Sequence, residues 1–251
     1  MLSKNKIKFL QALQRKKIRT EEALFVVEGE KMVKELLTEK EFVLQEVFAT
    51  ERFAQENEAL LANYQHSFTT VTPDQLKKIS SLRTPNKALA VVQQRRIPID
   101  WTFAQQDLCL YLADIQDPGN LGTILRIADW FGIQQLFASP ETVELYNPKV
   151  IQASMGAFSR IRYEVMAFSD VQDQLQLPVY GTVLDGNNIY EQNLPSKALI
   201  VLGNEGNGIP AAIQEQLEVR LKIPAHPRSG TESLNVSIAT GIVCALFRKP
   251  S

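Results

Sequence analysis

The stretch LCLYLADIQDPGNLGTILRIADWFG, residues 108–132, decides how this chain is to be folded. Residues 108–113 are continuously apolar, which suits a strand covered on both faces rather than one half exposed to water. Pro118-Gly119 is turn chemistry, and Asn120 is a residue type that caps helices well. A helix is expected over 120–131, with Leu121, Ile124, Leu125 and Ala128 as its buried stripe. Arg126 falls off that stripe. A strand, a tight turn and an amphipathic helix in this order form the repeating unit of a parallel α/β sheet.

The rest of the second half repeats the pattern. Strands are expected at 134–138, 160–165, 178–184, 198–203 and 219–223, and helices at 147–157, 169–176, 210–217 and 233–247. The result is a doubly wound α/β domain, in which ligands bind beyond the carboxyl ends of the strands. The first half alternates too, with strands at 23–29, 42–50, 66–71 and 88–93 and helices at 30–39, 51–64 and 72–80. That reads as a smaller α/β domain. Residues 93–106, with two prolines and little periodicity, read as a connection, so the expected division is 1–95, a linker at 96–106, and 107–251.

Two more loops in the second half carry chemistry. LGNEGNGIP, 202–210, places Gly203, Gly206 and Gly208 after a buried strand, where positive φ and close backbone approach to a ligand become possible. Glu205 among these glycines would repel a diphosphate and suits a cationic or hydroxyl-rich ligand. The third loop, IPAHPRSGTESLNVSIATG, 223–241, runs into a helix for which Ser233 is the expected cap. Asn235 is expected in its first turn, where Asn is a poor helix former and its amide can face the loop.

Bulk properties narrow the classes. No apolar run reaches the ~18 residues of a membrane span and no signal-peptide core is present, so a cytoplasmic protein is expected. Cys109 and Cys244 lie in apolar runs without metal-ligand spacing and read as buried, reduced thiols; no metal site is expected. The net charge of −1 hides an asymmetry: residues 1–96 hold 17 Lys/Arg against 12 Asp/Glu, residues 97–251 hold 10 against 16. The excess concentrates in Lys4, Lys6, Lys8, Arg15, Lys16, Lys17 and Arg19, with no acidic residue before position 20. Such a cluster suits a phosphate backbone, and these seven are the candidate nucleic-acid-binding residues.

Taken in order and spacing, Asn120-x-Gly122-x-x-x-Arg126, then GNEGNGIP, then IP…ESLNVSIATG, resemble the three signature motifs of the SpoU (TrmH-like) family of RNA 2′-O-ribose methyltransferases, over roughly 106–247. The amino-terminal half, with ALFVVEGEKMVKELL, is similar to the ribosomal-protein-like substrate-binding domain often fused in front of it. The resemblance implies a SPOUT fold whose carboxyl-terminal segment forms a trefoil knot, a homodimer with its site at the interface, and S-adenosylmethionine as cofactor. By position it implies cofactor contacts from Leu202, Gly203, Asn204, Gly206, Ile223, Leu234 and Asn235. It places Arg126, Asn120, Glu205, Ser233 and Asn235 in the chemistry. Arg126 would act as base or as the cation that stabilises an incipient alkoxide, and the others would position it and the ribose. The substrate expected is ribosomal RNA, with transfer RNA as the other possibility; the alternative reading is an RNA- or ribosome-binding protein whose methyltransferase site has decayed.

Overall fold

The computed structural model describes residues 2–39 and 41–249. In chain order the elements are α1 (Lys4–Ala12), α2 (Lys16–Glu22), β1 (Leu24–Glu28), α3 (Glu30–Thr38), β2 (Leu44–Ala49), α4 (Glu51–Glu56), α5 (Glu58–Leu61), β3 (Phe68–Thr70), α6 (Pro73–Ile79), β4 (Ala88–Gln93), α7 (Trp101–Ala104) and β5 (Leu108–Leu112). There follow α8 (Pro118–Trp130), β6 (Gln135–Ala138), α9 (Pro148–Ser154), β7 (Arg162–Val165), α10 (Phe168–Leu175), β8 (Val179–Asn188), β9 (Ala198–Leu202), α11 (Ala211–Gln214), β10 (Val219–Lys222) and α12 (Val236–Phe247). Two compact units form: residues 1–95 with 146–159, and residues 96–145 with 160–251. The segment Tyr146–Ser159, expected within the second domain, is therefore part of the first unit.

In the first unit the sheet order is β1-β4-β2-β3, with β4 antiparallel to both neighbours and β3 parallel to β2. Thr72 caps α6 through a full capping box with Gln75, as Thr72-Pro73 suggests. The helix expected over 51–64 breaks at Asn57, whose backbone leaves the helical region at φ −133° and whose buried amide donates to the Phe53 carbonyl at 2.9 Å. Around the amino end of β1, Phe25 packs on Phe42, Tyr146 and Phe158, with ring centroids 6.2, 4.4 and 5.7 Å away. That aromatic cluster is what draws residues 146–159 into this unit.

The second unit is a six-stranded, wholly parallel sheet of order β10-β8-β9-β5-β6-β7. Every residue of β5 and β9 is buried, as continuous apolar runs require. From β5 the chain moves outward to β6 and β7. From β9 it moves the other way, past β8 to β10. The boundary between β5 and β9 is thus the point where the strand order reverses, and a crevice opens there at the carboxyl ends. Part of the expected linker is ordered: Asp100 caps α7, and Trp101 stacks on Phe137 with centroids 5.5 Å apart.

The helix starts differ from expectation at both places that matter for the site. Asp117, not Asn120, caps α8, accepting from the Asn120 amide at 2.9 Å with Pro118 in the first turn. Asn120 therefore sits inside the helix with its side chain released. At α12 the cap is Asn235, not Ser233, and its Oδ1 accepts from the amides of Ser237 at 2.9 Å and Ile238 at 3.3 Å.

Candidate functional site

Three loops converge at the strand-order reversal. The loop after β5 begins with Asp114, a non-glycine residue at φ 59°, a conformation that Asp tolerates better than most. Ser139, at the end of β6, fixes it from both sides, accepting from the Asp114 amide at 2.9 Å and donating to its carboxylate at 2.7 Å. Thr142 lies 3.1 Å from the Ser139 hydroxyl and donates to the Leu112 carbonyl at 3.1 Å. The Asp114 carbonyl in turn accepts from the Asn204 side-chain amide at 2.8 Å, tying the first loop to the glycine loop after β9.

The glycine loop folds on itself. Asn204 and Gly208 exchange backbone hydrogen bonds of 3.0 and 2.9 Å, and Asn204 Oδ1 accepts from the amides of Gly206 and Asn207 at 2.8 and 3.1 Å. With its backbone and side chain all engaged, Asn204 is a strut of the loop. Gly203 is required by proximity: a Cβ there would lie 2.4 Å from the Gly208 carbonyl carbon and the Ile209 nitrogen. Gly208, at φ 69°, turns the chain back in the left-handed region. Leu202 is wholly buried, and its carbonyl accepts from the Ala113 amide at 2.8 Å.

The side chains that face one another come one from each loop. The Asn120 amide donates to Glu205 Oε1, and the Asn235 amide donates to Asn120 Oδ1 at 2.9 Å. Ser237 joins them, 3.3 Å from Asn120 Oδ1 and 2.5 Å from Asn235 Oδ1. Asn120 is the hub: its donor is aligned to Glu205 and its acceptor to Asn235 and Ser237, which fixes the orientation of the amide. Of the expected chemistry residues, Asn120, Glu205 and Asn235 are brought together. Ser233 is not; it lies exposed two residues before the cap, with no hydrogen-bond partner among the described residues. Ser237 takes that place. Ser237 could have been found from Asn235 as cap, since a cap's side chain reaches residues two and three positions ahead.

Arg126 is exposed on α8, and no acceptor among the described residues engages it. Six residues on from Asn120 in the same helix, it presents a planar, charged fork with five unused donors. Leu234, 46% exposed beside Asn235, and the half-buried Ile223 add apolar surface at the rim. A glycine loop, exposed apolar edges and a carboxylate that prefers a cation fit S-adenosylmethionine, with its adenine ring, its ribose hydroxyls and its sulfonium. The backbone edges of Gly203, Ile223 and Leu234 are the groups that would hold it.

The basic cluster divides. Lys4, Lys8, Arg15 and Lys16 are exposed. Lys6 is tied to Glu46 at 2.7 Å and lies over the Phe9 ring, and Lys17 pairs with Glu21 at 3.8 Å. Arg19 is only 1% exposed and donates to the Leu13 carbonyl at 2.8 Å, so its expected role in touching RNA is corrected to a structural one. Burial also lowers its pKa. Cys109 and Cys244 are buried as expected, and burial pushes each thiol up to about 12. No helix among the described residues is long and apolar enough to cross a membrane.

The fold and site together define a parallel α/β protein with a polar, carboxamide-centred site at its switch point. Residues 107–245 match the SpoU rRNA Methylase family, and residues 4–90 match the MRM3-like substrate binding domain. This chain belongs to the SpoU rRNA methylase family. It is 28% identical over 243 residues to the 23S rRNA (guanosine(2553)-2′-O)-methyltransferase RlmP of Bacillus subtilis, covering 95% of this chain and 94% of that one. A solved TrmH-family protein from Porphyromonas gingivalis is 37% identical, covers 100% of both chains and superposes with a TM-score of 0.84. An AdoMet-bound rRNA methyltransferase from Sinorhizobium meliloti, at 24% identity and TM-score 0.85 over 99% of this chain and 96% of that one, shares the fold.

Proposed function

We propose that this chain transfers a methyl group from S-adenosylmethionine to a ribose 2′-hydroxyl in ribosomal RNA. The observation that carries the reading is the Asn120 amide, held by Glu205 on one side and by Asn235 and Ser237 on the other at the meeting of three loops. Family membership and the likeness to RlmP support it.

The cofactor, when bound, supplies a methyl group on a cationic sulfur. The ribose oxygen would take the methyl carbon as the carbon–sulfur bond breaks, the sulfur would keep that electron pair as a neutral thioether, and the hydroxyl proton would pass to surrounding water. A ribose hydroxyl is a weak nucleophile at neutral pH, so the site must stabilise the charge that develops on oxygen. We assign this role, with the grip on an adjacent phosphate, to Arg126, since a guanidinium stays charged and forks onto oxyanions. The second oxygen of Glu205 is available to a hydroxyl or to the sulfonium charge. Asn120, Asn235 and Ser237 hold Glu205 in register, which limits the reorganisation the reaction needs.

Three structural readings go with this. Residues 1–95 act as the RNA-binding domain, 96–106 as connection and 107–251 as the methyltransferase, whose carboxyl-terminal segment is knotted. Two copies pair. Supporting the pairing, α8 and α12 pack on each other and carry two exposed large apolar side chains, Trp130 at 84% and Ile238 at 57%. The location is the cytoplasm, where ribosomal RNA is modified in bacteria such as those of its relatives.

The test is transfer of labelled methyl from S-adenosylmethionine to unmodified ribosomal RNA, followed by digestion to nucleosides. A labelled 2′-O-methylnucleoside is the expected product. A label on a base overturns the ribose assignment, and RNA binding without cofactor binding favours a decayed site.

A further inference from the structure

We infer that the RNA-backbone contact of the first unit is a band formed by α1 and α6 together, with Lys77 and Lys78 in it and Lys6 outside it. The inference rests on the proposed RNA substrate. Lys4, Lys8 and Gln11 recur at intervals of four and three residues, so they share one face of α1. All three are exposed. Gln11 sets the neighbour of that face: its side-chain amide donates to the Lys78 carbonyl at 2.8 Å. The last turn of α6, which carries Lys77 and Lys78, therefore abuts the lysine face of α1. Sequence alone separates these two groups by more than sixty residues.

The charges in the band are unspent. Among the described residues no carboxylate pairs with Lys4, Lys8, Lys77 or Lys78, and the one acid of α6, Asp74, makes no ion pair with its own lysines. Lys4 and Lys8 stand about 6 Å apart along the helix axis. The two α6 lysines widen the positive surface sideways. By contrast, the Lys6 ammonium is spent on Glu46 and on the face of the Phe9 ring, and the side chain is half-buried. An exposed surface of four lysines against one acid, Asp74, matches a polyanion, and both helices fall within the part of the chain that matches a substrate-binding domain.

The experiment measures binding of the full chain to unmodified 23S ribosomal RNA transcript as a function of salt. The variants are Lys77→Gln with Lys78→Gln, Lys4→Gln with Lys8→Gln, and Lys6→Gln. Each double variant is expected to weaken binding and to lower the slope of log K against log salt by about 1–2, and Lys6→Gln to leave the slope unchanged. All melt with the parent. An unchanged slope in Lys77→Gln/Lys78→Gln overturns the inference, as does an equal loss in Lys6→Gln. If that double variant instead loses binding only to anionic phospholipid vesicles, the surface is a membrane contact and the RNA assignment falls. Methyl transfer by the parent is scored on the same transcript, so loss of the slope without methyl transfer would leave the band standing while the proposed activity fails.

Discussion

The Asn235 side-chain amide donates to the Asn120 carbonyl oxygen across 115 residues of chain while the Asn235 carbonyl oxygen caps α12. One side chain thus has a structural half and a site half. Asn235→Asp keeps the cap acceptor and loses the donor, so it is expected to melt like the parent while losing methyl transfer more than tenfold. Asn235→Ala loses both and is expected to cost about 1 kcal/mol in addition. Thermal unfolding beside initial rates separates the two, and a large loss of stability in Asn235→Asp would show that the donor is structural.

Arg126 has no structural half. Exposed and without a partner among the described residues, it leaves no buried group unsatisfied when removed. Arg126→Ala is expected to bind S-adenosylmethionine as the parent does and to lower turnover on the order of 100–1000-fold, the loss typical of one transition-state donor. Calorimetric titration of the cofactor and single-turnover methyl transfer are the two readouts. A cofactor affinity that falls with turnover would move Arg126 into the binding site.

Gly203 is sterically required. Gly203→Ala places a methyl group 2.4 Å from two backbone atoms of its own loop, neither of which can swing aside. A destabilisation of about 1–3 kcal/mol and loss of most cofactor affinity are expected. Gly206→Ala meets nothing closer than Asn204 Oδ1 at 3.5 Å and is the control for stability. Equal melting temperatures for Gly203→Ala and the parent would mean that the loop has another closed form.

The two thiols predict an alkaline limit. Cys109 and Cys244 are held near 12 by burial, and Tyr111 and Tyr163 are pushed upward by the same cause. In the unfolded chain the thiols ionise near about 8.5. Between those values the folded state holds more protons than the unfolded, so stability is full below about pH 8.5 and falls as the pH rises towards 12. Urea midpoints measured from pH 7 to pH 10.5 are expected to decline above pH 8.5, and a flat profile would show that the thiols ionise in place. Neither thiol is expected to react with a maleimide at pH 7.5 without denaturant.

The sheet was legible because β5 and β9 are continuous apolar runs, and the crevice because its glycine loop and its two amide-bearing loops follow strands. The helix starts were misread for one reason. Asp117 and Asn120 are both good cap types, as are Ser233 and Asn235, and propensity ranks such neighbours nearly equally. Tertiary partners choose between them: Asn120 is drawn to Glu205, leaving the cap to Asp117, and Asn235 takes both tasks. Arg19 was misread because a charge count cannot see burial; the carbonyl that holds it lies only six residues back, at the end of α1. The break at Asn57 was hidden by helix-forming residues on both sides.

Because Tyr146–Ser159 belongs to the first unit, the polypeptide crosses between the units at three places, after Arg95, Leu145 and Ser159. Cutting the chain anywhere in 96–106 therefore leaves residues 146–159 of the first unit on the piece that carries the second. A fragment begun at residue 107 would carry Phe158, 2% exposed in the whole chain, without the Phe25 and Phe42 rings that cover it at 5.7 Å. Such a piece would be sticky as well as truncated, although it spans every residue matched by the methylase family. The unit of sequence ancestry and the unit that can be expressed alone are, in this chain, different objects.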